Sequence, residues 1–122
     1  MLYAIFCYNA EASVAAMTPE ENDALMAKLQ VVERKLVASG TLGPSARLKP
    51  TATAKTLRIG PRAKVIDGPF AETKEQLLGF YIIDCATFDE AVDVARLLAI
   101  PRSTGSLEVR PIEAFNLGSN PP

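Results

Sequence analysis

The chain has no histidine and no tryptophan among its 122 residues. Without histidine there is no side chain whose ordinary proton affinity falls near neutrality, so histidine-based triads and dyads are excluded. The commonest transition-metal ligand is missing too. The two cysteines, Cys7 and Cys85, stand far apart with no CxxC or zinc-type spacing, so no tightly held metal and no cofactor are expected. Both sit in or beside apolar, strand-like runs and read as buried, reduced thiols; a disulfide between them would need the two strands to be parallel neighbours, and a cytosolic compartment argues against it. Charge of one sign is lacking as well. Thirteen basic against fourteen acidic residues leave a net charge of −1, which gives no electrostatic footprint for nucleic acid or an anionic membrane. Long hydrophobic runs are absent: the apolar start, Leu2 to Tyr8, is too short to span a bilayer and lacks a basic flank and cleavage pattern. A cytoplasmic protein without direct nucleic-acid or membrane partners is expected.

What is present suffices for one core and not for two, with 48% hydrophobic residues in 122. We expect a single domain over residues 1–115 and a disordered tail over 116–122, where Gly, Ser, Asn and Pro replace all pattern. Leu2 to Tyr8 is apolar at nearly every position, as a central strand covered on both faces would be. A loop follows from Asn9 to Met17. Thr18-Pro19-Glu20-Glu21 then combines an N-cap Thr, a first-turn Pro and an N3 Glu, which predicts a helix from Pro19. Leu25, Leu29, Val32 and Leu36 form its apolar stripe, and Gly40 offers the left-handed cap.

Thr41 to Pro50 reads as a surface loop. Thr51 to Ile59 and Ala63 to Ile66, broken by Gly60-Pro61, read as a hairpin. One helical turn is expected over Glu72 to Gln76, and a second central strand from Leu77 or Leu78 to Ile83. Thr87-Phe88-Asp89-Glu90 repeats the capping signal and opens a helix with Phe88, Val92, Ala95 and Leu98 on one face, stopped by Pro101. Ser106 to Ile112 alternates, with Leu107 and Val109 on one side and Glu108 and Arg110 on the other. Two strand–helix units with strands between them make the split βαβ of a ferredoxin-like α+β fold. Right-handed crossovers put both helices on one sheet face. The doubly apolar strands then require a cover for the other face, and a two-fold related copy is the simplest one.

The densest stretch runs from Val65 to Glu75. Asp67 ends an apolar strand, Gly68 permits backbone angles closed to other residues, and Pro69 lacks the N–H that an Asp in a turn usually captures. The Asp67 carboxylate must reach the Phe70 amide, a basic side chain or a ligand. The string Asp67-Gly68-Pro69-Phe70-Ala71-Glu72-Thr73-Lys74-Glu75, followed by Gly79-Phe80-Tyr81 and Glu108-Val109-Arg110-Pro111, resembles the DGPF group of YCII-related proteins over nearly the whole chain. That resemblance implies a ferredoxin-like fold paired through its sheet into a dimeric α+β barrel, with a biochemical role largely unassigned. Genes of the group often lie beside those for extracytoplasmic-function sigma factors, which implies an indirect regulatory link. In the wider family a histidine paired with an aspartate has been regarded as a catalytic dyad, and this chain lacks the histidine half.

Asp67 is therefore the candidate catalytic carboxylate, a base if desolvation raises its proton affinity, against the plainer reading of a turn residue. Candidate ligand-binding residues are Arg110, Glu72, Lys74, Tyr81 and Tyr8. Each has its bland counterpart: a Glu108–Arg110 structural pair, solvated charge for Glu72 and Lys74, and core packing for both tyrosines. Phe70 reads as a core plug. The expectation is a pocket where the Asp67 turn meets the polar side of the last strand, holding a small polar or anionic molecule. The chain is then either a small-molecule enzyme, or remnant of one, or a non-catalytic ligand-binding or regulatory module.

Overall fold

The computed structural model describes residues 1–118. The elements in order are β1 (Leu2–Asn9), α1 (Glu11–Ala15), α2 (Pro19–Ala38), β2 (Leu42–Arg47), a 3-10 turn (Thr51–Thr53), β3 (Lys55–Arg58), β4 (Lys64–Asp67), β5 (Gln76–Asp84), α3 (Phe88–Ala99) and β6 (Ser106–Pro111). Four strands form an antiparallel sheet in the order β2-β5-β1-β6, and β3 and β4 form a separate two-stranded ribbon. With the ribbon and α1 set aside, β1-α2-β2 and β5-α3-β6 are the two halves of a ferredoxin-like α+β fold. The ribbon is an insertion between those halves.

The helix starts follow the residues that signal them. Thr18 accepts a hydrogen bond from the Glu21 amide while the Glu21 carboxylate accepts from the Thr18 amide, a complete capping box with Pro19 at the first helical position. α2 closes with Gly40 at φ +76°, where the Gly40 and Thr41 amides donate back to Val37 and Leu36 at 3.0 and 2.9 Å. That is the Schellman arrangement, and the left-handed residue in it favours glycine. At α3 the Thr87 hydroxyl accepts from the Glu90 amide, but the Glu90 carboxylate takes the Ala86 amide, so the second box is shifted by one residue.

Several expectations need correction. Thr41 to Pro50 is not all loop: β2 lies in it, pairing with β5 through an irregular register between Leu42 and Ser45. Gly43 and Pro44 hid the strand, yet an edge strand tolerates both at a bulge, because no neighbour requires the missing N–H. The hairpin forms but stands outside the central sheet. Asn9 to Met17 contains α1, a helix too short to show a period. No helical turn forms over Glu72 to Gln76, since Gln76 already belongs to β5. The buried face of α3 is Ala91, Val94, Ala95 and Leu98; Phe88 is exposed and meets the Tyr3 ring edge-on at 5.5 Å. The tail expected from residue 116 begins with residues in no helix or strand, and residues 119–122 lie outside the described residues.

Strand alternation assigns the two faces. Tyr3, Ile5 and Cys7 of β1, with Tyr81 and Ile83 of β5, pack against Leu36 of α2 and the buried face of α3, and Leu107 and Val109 of β6 lie against the same cluster. Ala4, Phe6 and Tyr8 point the other way. On that helix-free face Phe6 lies across from Phe80 on one side and Glu108 on the other, and Ala4 lies between Ile82 and Arg110. Cys7 pairs with Gly79, while Cys85 lies beyond the opposite end of β5 and donates its amide to Met1. At about 3.4 Å per residue the six-residue separation is roughly 20 Å, too far for a disulfide.

Candidate functional site

The Val65 to Glu75 stretch leaves the ribbon and leads into β5. Asp67 closes β4 directly across from Lys55, and the carboxylate meets the Lys55 ammonium at 3.5 Å, with the two side chains 90% and 72% exposed. Of the three partners open to it, the basic side chain is the one found. Gly68, at φ +94°, carries the turn itself. Its amide donates to the Ala54 carbonyl at 2.7 Å and its carbonyl accepts from the Thr56 hydroxyl at 2.8 Å. Phe70 is 76% exposed, so the core-plug expectation fails: the turn leaves the ring open to solvent.

A chain of hydrogen bonds fixes the base of the ribbon. The Glu11 carboxylate accepts from the Thr51 amide at 2.7 Å and the Thr51 hydroxyl at 2.6 Å. The Glu11 amide in turn donates to the Gln76 side-chain oxygen at 2.8 Å, and Gln76 Nε2 donates to the Thr73 carbonyl at 2.6 Å. Glu75 is tied to β6 by the Ser106 hydroxyl, 3.2 Å from one carboxylate oxygen. Between these supports lies a groove of about 320 Å³, with Thr51 and Ala52 on one wall and Pro69, Ala71, Glu72, Thr73 and Gln76 on the other. Glu72 lines it; Lys74 is exposed beside it and does not. Thr51, Glu72, Thr73 and Gln76 share the lining with Ala52, Pro69 and Ala71, an arrangement able to receive a small polar molecule through its donors.

The remaining candidates lie elsewhere in the chain. Arg110 is on the helix-free face, where its Nη2 donates to Glu108 at 2.9 Å and its guanidinium sits 5.3 Å from the Phe6 ring centre. The hydrogen bond and charge of Glu108 raise its proton affinity above the ordinary arginine value. Tyr8 shares that face, near Ser106. Tyr81 is buried on the opposite, helix-covered face, where burial pushes its phenol up and the Arg102 guanidinium, donating to its hydroxyl at 3.4 Å, pulls it partly back. Asp67 pairs with Lys55 and Arg110 with Glu108, so one chain does not join these two candidates. Sequence reading missed Glu11, Thr51 and Gln76. Their contacts span 40 and 65 positions, and no local pattern marks a single Glu after a strand as the anchor of a distant turn.

Among the described residues no cluster of three or more Cys, Asp or Glu side chains is placed to hold a metal ion. No helix there is long and apolar enough to cross a membrane.

Fold and site together define the class: a ferredoxin-like α+β domain with an inserted β-ribbon, a polar groove at the ribbon's base and a helix-free sheet face lined with aromatic rings. Residues 1–116 match the model of the YCII-related domain, and the chain belongs to that family. It is similar to an uncharacterized protein of Rhizobium meliloti (strain 1021), 54% identical over 123 residues covering 99% of each chain.

Proposed function

We propose that the chain is a cytoplasmic, ligand-binding YCII-related protein of the DGPF group, working as a homodimer, with its ligand site at the groove beside the Gly68–Pro69 turn. The observation that carries the site is the groove's construction. Its walls come from two stretches far apart in sequence, residues 51–52 and 69–76, held in register by the Glu11, Thr51, Gln76 and Thr73 hydrogen bonds. The lining favours a small polar molecule that donates hydrogen bonds to Glu72; an anion would need Lys74 from the rim or Arg110 supplied by the second copy.

Two further features support the dimer. The face opposite the helices presents Phe6, Tyr8, Phe80 and Ile82, each only half-buried, and a sheet face of that composition is normally covered. The ribbon exposes Leu57, Ile59, Val65 and Ile66, whereas a two-stranded ribbon is marginal in water unless it packs on something. A two-fold related copy supplies both covers.

Binding is favoured over catalysis because Asp67, the candidate base, is open to water and paired with Lys55, which leaves it without the desolvation that base catalysis needs. A thermal-shift screen of polar metabolites tests the reading. A hit should lose its effect in Glu72→Gln, which keeps the shape of the wall and removes its charge, while Asp67→Asn should leave it intact. Loss in Asp67→Asn alone, with turnover of the hit by the parent, would restore the enzyme reading.

A further inference from the structure

A second groove, sharing no residue with the first, lies between α3 and the outer strand β6 and has a volume of about 390 Å³. Its floor is apolar: Val92 and Ala95 from α3, Leu107 and Val109 from β6. Its rim is basic, formed by Arg96, Arg102 and the loop Ser103-Thr104-Gly105, and no acidic residue lines it. Arg102 is half-buried and has no carboxylate within ion-pairing distance among the described residues; its guanidinium donates to the Leu98 carbonyl and, at 3.4 Å, to the Tyr81 hydroxyl. A guanidinium carries five N–H donors, so most of its capacity is unspent. Arg96 meets Asp93 at 3.7 Å, and both are well exposed, a pair that competes weakly for the arginine.

The loop is fixed in place. Gly105 has φ +100° and lies so close to the Tyr8 carbonyl that a Cβ would collide with it. The Thr104 hydroxyl accepts from the Asn9 amide side chain at 3.1 Å. Among the described residues, the amides of Ser103, Thr104 and Gly105 meet no protein acceptor. Amides without a protein partner beside an arginine are donors that an anion can accept from.

We propose that this groove is a binding site for a small amphiphilic anion: a phosphate or carboxylate head held by Arg102, Arg96 and the loop amides, with an apolar body lying on Val92, Ala95, Leu107 and Val109. The volume falls near the lower end of the roughly 300–1,000 Å³ typical of small-molecule sites. Charge and apolar floor are both required, so neither inorganic phosphate nor a neutral aromatic alcohol should bind comparably.

The test is amide chemical-shift titration of the full chain with phenyl phosphate, inorganic phosphate, octanoate and benzyl alcohol. Phenyl phosphate and octanoate should move the amides of Arg102 to Val109 and bind at least tenfold more tightly than inorganic phosphate or benzyl alcohol. Arg102→Gln should weaken both amphiphiles at least tenfold. Because losing Arg102 also frees the Leu98 carbonyl and can fray α3, Ala99→Phe is the second variant. Ala99 is exposed and lines the groove, so the ring fills the apolar floor without touching the charge. That variant should cancel the advantage of phenyl phosphate over phosphate. Shifts scattered over the surface, equal affinity for phosphate and phenyl phosphate, or an Ala99→Phe protein that binds as the parent does would each overturn the proposal.

Discussion

Removal of the Glu11 side chain isolates the support of the ribbon from the rest of the fold. In Glu11→Ala the Thr51 amide and hydroxyl lose their acceptor together, at positions where the bonds are short and half-buried. Hydrogen bonds to a charged group contribute about 1.5–3 kcal/mol each when buried. Water can reach this site and replace part of both, so the expected loss is about 1–2 kcal/mol, or roughly 4–8 °C in Tm for a domain of this size. The loss should be local first. Hydrogen exchange of the Gly68 amide, which donates to Ala54, and of the β3–β4 ladder should accelerate about tenfold for each ~1.4 kcal/mol, while β1 and β5 amides keep their protection. Glu11→Gln, which retains an acceptor oxygen, should fall between parent and Ala variant. If ribbon exchange is unchanged in Glu11→Ala, the ribbon is not held through Thr51 and the account of the groove walls is wrong.

Three other outcomes are expected. Gly79→Ala should destabilise by about 1–3 kcal/mol by urea melting, because a Cβ at Gly79 runs into the Ala46 backbone carbonyl on the neighbouring strand. Thr18→Ala should lose about 1 kcal/mol with its capping bond. Glu21 is held below the ordinary glutamate range chiefly by the Thr18 backbone amide, so in the parent its contribution is complete above the unfolded value and fades as pH falls through the folded one; a pH series of melts should show a flatter acid limb in Glu21→Gln, which removes the titrating group, while Thr18→Ala keeps the amide and most of the pH dependence. Burial pushes the thiols of Cys7 and Cys85 up, so aromatic-disulfide labelling at pH 8 should be slow in the native protein and immediate in urea; fast native labelling of Cys7 would contradict its place in the core.

The parts of the fold governed by local chemistry were legible. The capping box at Thr18, the left-handed Gly40 and the apolar runs of β1 and β5 each carry their own signal, and their order implies the split βαβ arrangement. β2 was not legible, because Gly43-Pro44 reads as a breaker and the tolerance of an edge strand depends on which strand it joins. The turn was legible and its surroundings were not. Gly68-Pro69 marked the turn, yet the groove beside it draws its other wall from Thr51 and Ala52 instead of the Glu108–Arg110 strand, and Asp67 settled on Lys55, a partner that only strand register decides. Glu11 and Arg102 act across distances in sequence that no period reports.

The proposed homodimer would cover the helix-free face with a second copy of the chain. Light scattering on a size-exclusion column at micromolar concentration measures that directly. The account predicts a particle of twice the 13.1 kDa chain mass, shifted to the single-chain mass by Phe80→Glu, which puts a charge at the centre of the face. A parent protein that is folded and runs at 13.1 kDa would contradict it, as Phe6, Phe80 and Ile82 would then face water.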